Sequence, residues 1–412
     1  MNKNLRAVLL SCVVIVLVVC SFGGGFAAGH FMPIGSAANP FPLTNGNQGG
    51  TPSDLTTLFA PFWTAWKLVH QQYVDQPLND TLLMQGAISG MLQSLGDAHT
   101  IYVNPQDYQS ETSTLAGNYA GIGAFVDTAG KFLTITKPIP GSPADKAGLL
   151  QGDQIIAVDG KDVTGMIPEN VRQMVLGKEG TVVKLTIKRP SLTAPFDVQI
   201  TRAIIALPSV TSKMLANNIA YIQLTSFGDT TASELHTQLP ALLAQNPKGL
   251  ILDLRYNGGG YLETAIAVAS EFIPSGVIVS EKDGSGKITP HDATPGGLAT
   301  NKKLPMIVVV NAFSASASEI VAGALQDTGR AKLLGVTTYG KGTVQIWTAL
   351  SSDKNVNQGA VAITIARWLT PKGNTIDKKG LTPDFVVQMT AADEKAGKDP
   401  QLDAAVKQLT SP

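Results

Sequence analysis

The sequence has only two cysteines, Cys12 and Cys20, and both stand near its start. Everything beyond them is therefore without a disulfide, a thiol nucleophile or a cysteine-ligated metal. Histidine is scarce as well. His30, His70, His99, His236 and His291 are scattered without HExxH-like pairing, which argues against metal catalysis and leaves only a carboxylate-built site open. Neither charge sign prevails: 31 basic and 31 acidic residues cancel and form no like-charge block, so no basic stripe for nucleic acid is expected. The Gly-x-Ser-x-Gly signature of a nucleophile elbow is also missing.

What is present is a chain of 412 residues, 44% hydrophobic and 15% charged, long enough for two or three domains with a sizeable core. Lys3 and Arg6 precede an apolar run over residues 7–22 that a Gly/Ala stretch extends to Ala28. The extended run approaches the roughly 20 residues that span a bilayer, and its basic flank places the remainder on the extracytoplasmic side. A cleaved signal peptide ending near Phe26-Ala27-Ala28 is the alternative, and a lipoprotein through Cys20 the weaker one. Residues 1–28 thus read as an anchor or signal. Residues 29–54, rich in Gly, Pro, Asn and Ser, read as a flexible tether.

Over residues 55–117 apolar positions recur at helical spacing, from Phe59, Trp63 and Trp66 to Met91, Leu92 and Leu95, broken around Asp75-Gln76-Pro77. His99, in Leu-Gly-Asp-Ala-His-Thr, reads as a structural histidine at a helix end. Residues 118–204 differ. Gly121-Ile122-Gly123-Ala124 opens a strand. Ser142-Pro143-Ala144-Asp145 supplies an N-cap with proline in the first turn, and Gly148 a C-terminal cap. Asp159-Gly160 is a tight turn. A helix is expected over residues 168–176 and an alternating strand over Val182–Lys188. The run GSPADKAGLLQGDQIIAVDG resembles a PDZ domain of the protease-associated kind. The resemblance implies that Gly121, Ile122, Gly123 and Ala124 receive a peptide's terminal carboxylate on backbone N–H groups, with the ligand added as a strand.

From residue 205 to 391 strands and helices alternate, the pattern of an α/β core. Strands are expected at residues 219–224, 249–254, 306–310, 332–336 and 360–366, and helices at 231–243, 262–272 and 316–326. Ser316-x-x-Glu319 can be a capping box, or Ser316 can be a nucleophile with the free N–H of Ala317 receiving an oxyanion. Lys341, between Gly340 and Gly342, is either a surface turn or a desolvated general base. Gly258, Gly259 and Gly260, after a buried strand, make either a turn or a second oxyanion donor. Residues 335–341 also fit part of a Walker loop, but Gly342 stands where Ser or Thr should hold magnesium.

The runs VNAFSASASEIVAGALQDTGRA, GVTTYGKGTVQ and DLRYNGGGYLETA, with LGDAHTIY and the PDZ segment, resemble the carboxy-terminal processing peptidases, also called tail-specific proteases. The resemblance implies a crotonase-like α/β core with an inserted PDZ domain and an N-terminal helical region. It implies an endopeptidase without cofactor or metal, cutting near the C-termini of extracytoplasmic proteins. Ser316 would be the nucleophile, Lys341 the base and Gln345 the residue orienting it. The oxyanion donors would be the N–H groups of Ala317 and Gly259. Two departures are Ala98-His99-Thr100, where relatives carry Pro-His-Ser after the aspartate, and Leu176, where many carry arginine. A PDZ-bearing binding protein with an idle core is the rival from another class. Residues 392–412 form a tail whose amphipathic stretch 399–409 suits a dimer contact, and an adaptor protein could deliver substrate.

Overall fold

The computed structural model describes residues 55–410 apart from 352 and 354–356, so the expected anchor and tether lie outside the described residues. No helix among the described residues is long and apolar enough to cross a membrane. The chain divides into a unit ending at Leu78 and a unit running from Asn79 to the C-terminus. In the first, the helix Thr56–Gln72 stacks its aromatic residues along itself, Phe62 edge-on to Trp63 at 5.0 Å and Trp66 over His70 at 5.1 Å.

The second unit opens with the helix Asp80–Gln93, started by the Asn79 side chain accepting from the Leu82 N–H at 3.1 Å. After the short strand Ile101–Val103 comes the helix Pro105–Leu115, with Asn104 capping it and proline in its first turn. The PDZ domain follows. Its antiparallel sheet runs Ala124–Asp127, Leu133–Pro138, Gln154–Val158, Val182–Lys188, Phe196–Thr201, with Lys161–Asp162 beside the third strand. Alternation does what a period of two dictates: Val183, Leu185 and Ile187 are fully buried while Lys184 and Lys188 face out. Ser142 accepts the Asp145 N–H, and Asp159 and Gly160 both take positive φ, as a tight hairpin turn requires. The ribbon Asn118–Gly121 against Ala203–Ala206 closes the domain where the chain enters and leaves it.

The part after the PDZ-like domain is built on a six-stranded sheet in the order Val210–Leu215, Ile219–Leu224, Gly249–Asp253, Met306–Val310, Lys332–Gly335, Phe385–Val386, parallel after the first pair. Gly249–Asp253 and Met306–Val310 are buried at every residue, as central parallel strands are when both faces are covered. One face carries Ile222, Leu252 and Val308 into the main core with the helices Thr231–Leu243, Leu262–Ser270 and Ala317–Asp327. The other carries Tyr221, Ile251 and Val309 against Ala405, Leu402 and Leu409. A second, antiparallel sheet joins Ile101–Val103, Ala360–Leu369, Val277–Asp283 and Ile288–Asp292, with Thr343–Ala349 on the same long strand.

One expectation changes at this level. The C-terminal helix Pro400–Thr410 is not a free surface for a dimer, because its apolar side covers the second face of the sheet and belongs to the core. Residues 335–341 are followed by the strand Thr343–Ala349 rather than a helix, which removes the loop-to-helix geometry of a phosphate site.

The same helix is tied to the glycine loop. Arg255, 8% exposed, bridges Asp253 at 2.6 Å and Asp399 at 2.8 Å, while Tyr221 donates to Asp253 at 2.8 Å. Burial, which lifts the Asp399 carboxyl, is outweighed by the Arg255 hydrogen bonds, so its pKa lies below the ordinary value. Removing one partner of a buried pair leaves the other charge uncompensated. Arg255→Ala is therefore expected to lower unfolding stability by about 3–5 kcal/mol, read by urea titration. Coincident wild-type and variant curves would show the network to be idle.

Candidate active site

The run Ser314-Ala315-Ser316-Ala317-Ser318 turns from the strand Met306–Val310 into the helix Ala317–Asp327. Its three serines are not equivalent. Ser314 is fully buried and donates to the Leu254 carbonyl at 2.8 Å, and Ser318, equally buried, donates to the Asn257 carbonyl at 2.8 Å. Both lock this turn to the glycine loop. Ser316 alone is partly open, and its backbone sits at φ 55°, ψ −117°. A left-handed φ costs a non-glycine residue of order 1–3 kcal/mol and persists only where the surroundings enforce it. The chain thus turns sharply from strand to helix at Ser316, without a Gly-x-Ser-x-Gly motif. The Ala317 N–H has no acceptor among the described residues.

Glu319 was legible only as half of a capping box, and its carboxylate does accept the Ser316 N–H at 2.9 Å. It also accepts the Lys341 N–H at 2.9 Å, the Gly340 N–H at 2.7 Å and the Thr338 hydroxyl at 2.5 Å. One fully buried carboxylate thus holds the backbones of Ser316 and Lys341 together. Gly340, at φ 90°, lies so near the chain that a Cβ would meet the Gly380 nitrogen at 2.8 Å. The Lys341 carbonyl accepts from Trp368 Nε1 at 2.9 Å.

Ser316, Lys341, Gln345 and Gly258, Gly259 and Gly260 line one cavity of about 610 Å³. Burial pushes the Lys341 ammonium below the ordinary lysine value, against the upward pull of Glu111, Glu319 and Asp97. Gln345 stands at a register shift in the strand Thr343–Ala349, and its Nε2 donates to the hydroxyls of Thr343 at 2.8 Å and Thr364 at 3.1 Å. Gln345 therefore shares the cavity with Lys341 but is held by threonines. Asp97 of the Leu-Gly-Asp-Ala-His segment accepts the His99 backbone N–H and the Thr100 hydroxyl, and Thr100 in turn accepts the Thr364 N–H.

Gly259 needs a correction. Its N–H donates to Asn257 Oδ1 at 2.9 Å and is not an open donor. The N–H groups of Gly258 and Gly260 have no acceptor among the described residues. What Gly259 supplies is room: at φ 110°, a Cβ there would stand 2.8 Å from the Ser316 Cβ and 3.0 Å from the Ala317 nitrogen.

A second cavity, of about 760 Å³, lies between the strand Ala124–Asp127 and the helix Pro168–Val175 of the PDZ domain. Ile122 and Ala124 line it, whereas Gly121 and Gly123 shape the backbone behind it; a Cβ on Gly123 would collide with Ser142 at 2.4 Å. The buried N–H groups of Ile122 and Gly123 have no acceptor among the described residues. Arg172, paired with Glu169 at 2.6 Å, and Leu176 complete that wall. Among the described residues no cluster of His, Cys, Asp and Glu is placed to hold a metal.

Two outcomes follow from the Glu319–Lys341 arrangement. Glu319→Gln puts an amide donor among four donors, and is expected to destabilise the fold by about 2 kcal/mol or more and to abolish activity, read by urea titration and peptide cleavage. A lysine with a depressed folded-state pKa penalises the fold at low pH, where it is protonated folded and unfolded alike. The penalty fades as pH rises from the depressed value towards the unfolded one of about 10.4. Lys341→Met is expected to raise Tm at neutral pH and to lose that upward slope; a lower Tm at pH 7 would mean a well-solvated ammonium.

Residues 218–387 match the model of peptidase family S41, residues 134–189 a PDZ domain, and residues 18–107 the N-terminal domain of the activating protease CtpB. The chain is 39% identical over 346 residues to the carboxy-terminal processing protease CtpA of Bacillus subtilis, covering 82% of this chain and 70% of that one. It is 35% identical over 382 residues to the carboxy-terminal-processing protease of Bartonella bacilliformis, covering 92% and 85%. A Bacteroides fragilis protein assigned to the S41 proteases shares the fold, with a TM-score of 0.50 at 17% identity over 82% of this chain and 91% of that one. The matches over most of its length settle its membership: the chain belongs to peptidase family S41 and is a carboxy-terminal processing serine protease.

Proposed function

We propose that Ser316 is the nucleophile and Lys341 the general base of an endopeptidase that cuts extracytoplasmic proteins near their C-termini, the PDZ domain receiving the terminal carboxylate. The observation that carries this reading is Ser316, strained at the amino end of a buried helix and sharing one cavity with a lysine whose ammonium is disfavoured by burial.

In the reaction, the neutral Lys341 amine takes the Ser316 hydroxyl proton as Oγ attacks the scissile carbonyl carbon. The carbonyl oxygen becomes an oxyanion at the amino end of the helix, where the unpaired Ala317 N–H points. The second donor comes from Gly258, Gly259 or Gly260, and Gly259 serves only once Asn257 leaves its N–H. The C–N bond then breaks as the Lys341 ammonium protonates the leaving amine, giving an acyl-enzyme on Ser316. Water loses a proton to Lys341 and attacks the ester, and the serine oxygen leaves with that proton. Gln345 orients the amine through its free amide oxygen. The unpaired N–H groups of Ile122 and Gly123 suit a peptide carboxylate, and the apolar cavity beside them suits the side chains that precede it. The basic-flanked apolar run before residue 29 supports membrane attachment, or export, of the enzyme.

Ser316→Ala and Lys341→Ala are each expected to reduce degradation of casein by at least about 10³-fold with an unchanged circular dichroism spectrum. A variant that cuts at the wild-type rate would show that its residue is neither nucleophile nor base.

A further inference from the structure

The charged residues lining the PDZ-side cavity are Arg172 and Lys178, and no carboxylate lines it. Among its polar side chains Tyr119 stands closest to the Gly121-Ile122-Gly123-Ala124 loop, on the strand that leads into it. A Cβ on Gly121 would meet Tyr119 Cε2 at 2.8 Å and Leu176 Cδ2 at 3.1 Å. The ring therefore lies against the loop with Leu176 beside it, and only glycine at 121 leaves that room.

The carbonyls of this loop are engaged and its N–H groups are not. The Ile122 carbonyl accepts the Ala144 N–H at 2.7 Å, and the Gly123 carbonyl accepts the Ile139 N–H at 3.0 Å and the Ser142 hydroxyl at 2.7 Å. The strand Ala124–Asp127 is the edge of its sheet. Because Gly123 bonds across to Ile139, alternation along an antiparallel pair turns the Ala124 N–H to the open side. There it reaches the Tyr119 oxygen. Burial raises the phenol above its ordinary pKa, while the Ala124 N–H and the charge of Arg172 draw it down without reversing the shift. The phenol thus keeps its proton at neutral pH, and that proton has no acceptor among the described residues.

We propose that the Tyr119 hydroxyl is a third donor of the carboxylate cradle, beside the N–H groups of Ile122 and Gly123, and that it makes the cavity select a free chain end over an amide. This rests on the reading that the PDZ domain receives a terminal carboxylate. A carboxylate oxygen accepts from the phenol in a charge-assisted bond, and the Ala124 N–H polarises the hydroxyl so that it donates more strongly. A carboxamide brings donors of its own to a group of donors and leaves some of them unpaired.

The test is fluorescence anisotropy on the full chain carrying Ser316→Ala, which leaves the probe uncut, with and without Tyr119→Phe. The probe is a fluorescein-labelled hexapeptide of alanines ending in leucine, as the free acid and as the C-terminal amide. Tyr119→Phe keeps the ring against Gly121 and removes only the hydroxyl. It is expected to weaken binding of the acid by about 10- to 100-fold and that of the amide by about twofold or less. Equal weakening of both would make Tyr119 a packing residue, and tighter binding of the acid would make it a plug on the Ala124 N–H; either overturns the proposal. If the chain with Tyr119 intact binds the acid no better than the amide, the terminal-carboxylate reading itself is lost. A preference for the acid that Tyr119→Phe leaves in place removes Tyr119 alone.

Discussion

The Glu319 carboxylate is the contact on which the catalytic arrangement depends. The serine turn and the lysine loop leave the same end of the adjacent parallel strands Met306–Val310 and Lys332–Gly335, so the sheet brings them near each other. A fully buried anion fixes them there, finding its donors in the N–H groups of Ser316, Gly340 and Lys341 and the hydroxyl of Thr338. Leaving any of these unpaired is more unfavourable than the pair is favourable, so the geometry is fixed by what it avoids. The same charge lies close enough to Lys341 to draw its proton affinity upward, though burial prevails. Structure and reactivity share one residue at this point of the fold.

Two features of this site oppose stability. Ser316 is held at a positive φ, and Lys341 is brought into a cleft that disfavours its charge. Both are compensated by rigid surroundings. Ser314 and Ser318 bond the turn to the glycine loop, Asn311 Oδ1 accepts the N–H groups of Tyr256 and Phe313, and Arg255 ties that loop to the C-terminal helix. Strain at the centre is sustained by hydrogen bonds one layer out.

The PDZ domain is an insertion whose two chain ends meet in a single ribbon, so it could have been independent of the core. It is not walled off, because the helix leading into that ribbon borders both cavities. The PDZ-side cavity and the cavity of Ser316 and Lys341 thus have a common partition.

Periodicity and punctuation alone determined the elements of the buried core. Ile219–Leu224, Thr231–Leu243 and Met306–Val310 occupy the expected residues, because apolar runs bounded by turn residues leave little choice. The PDZ caps at Ser142 and Asp159-Gly160 were equally local. The hairpin Val277–Asp283 with Ile288–Asp292 was not legible, since its half-exposed strands lack a continuous apolar run. The fate of the C-terminal helix was undecidable too: an amphipathic pattern gives a face to bury but not the surface that buries it, and that surface is the far side of the sheet. At the site, residue types suggested Ser316 and Lys341, but only tertiary structure separated Ser316 from Ser314 and Ser318. It also engaged Gly259's N–H with Asn257 and gave Glu319 four donors. Those outcomes depend on which backbone groups from distant segments are left unpaired in one place, and that is a property of the folded chain alone.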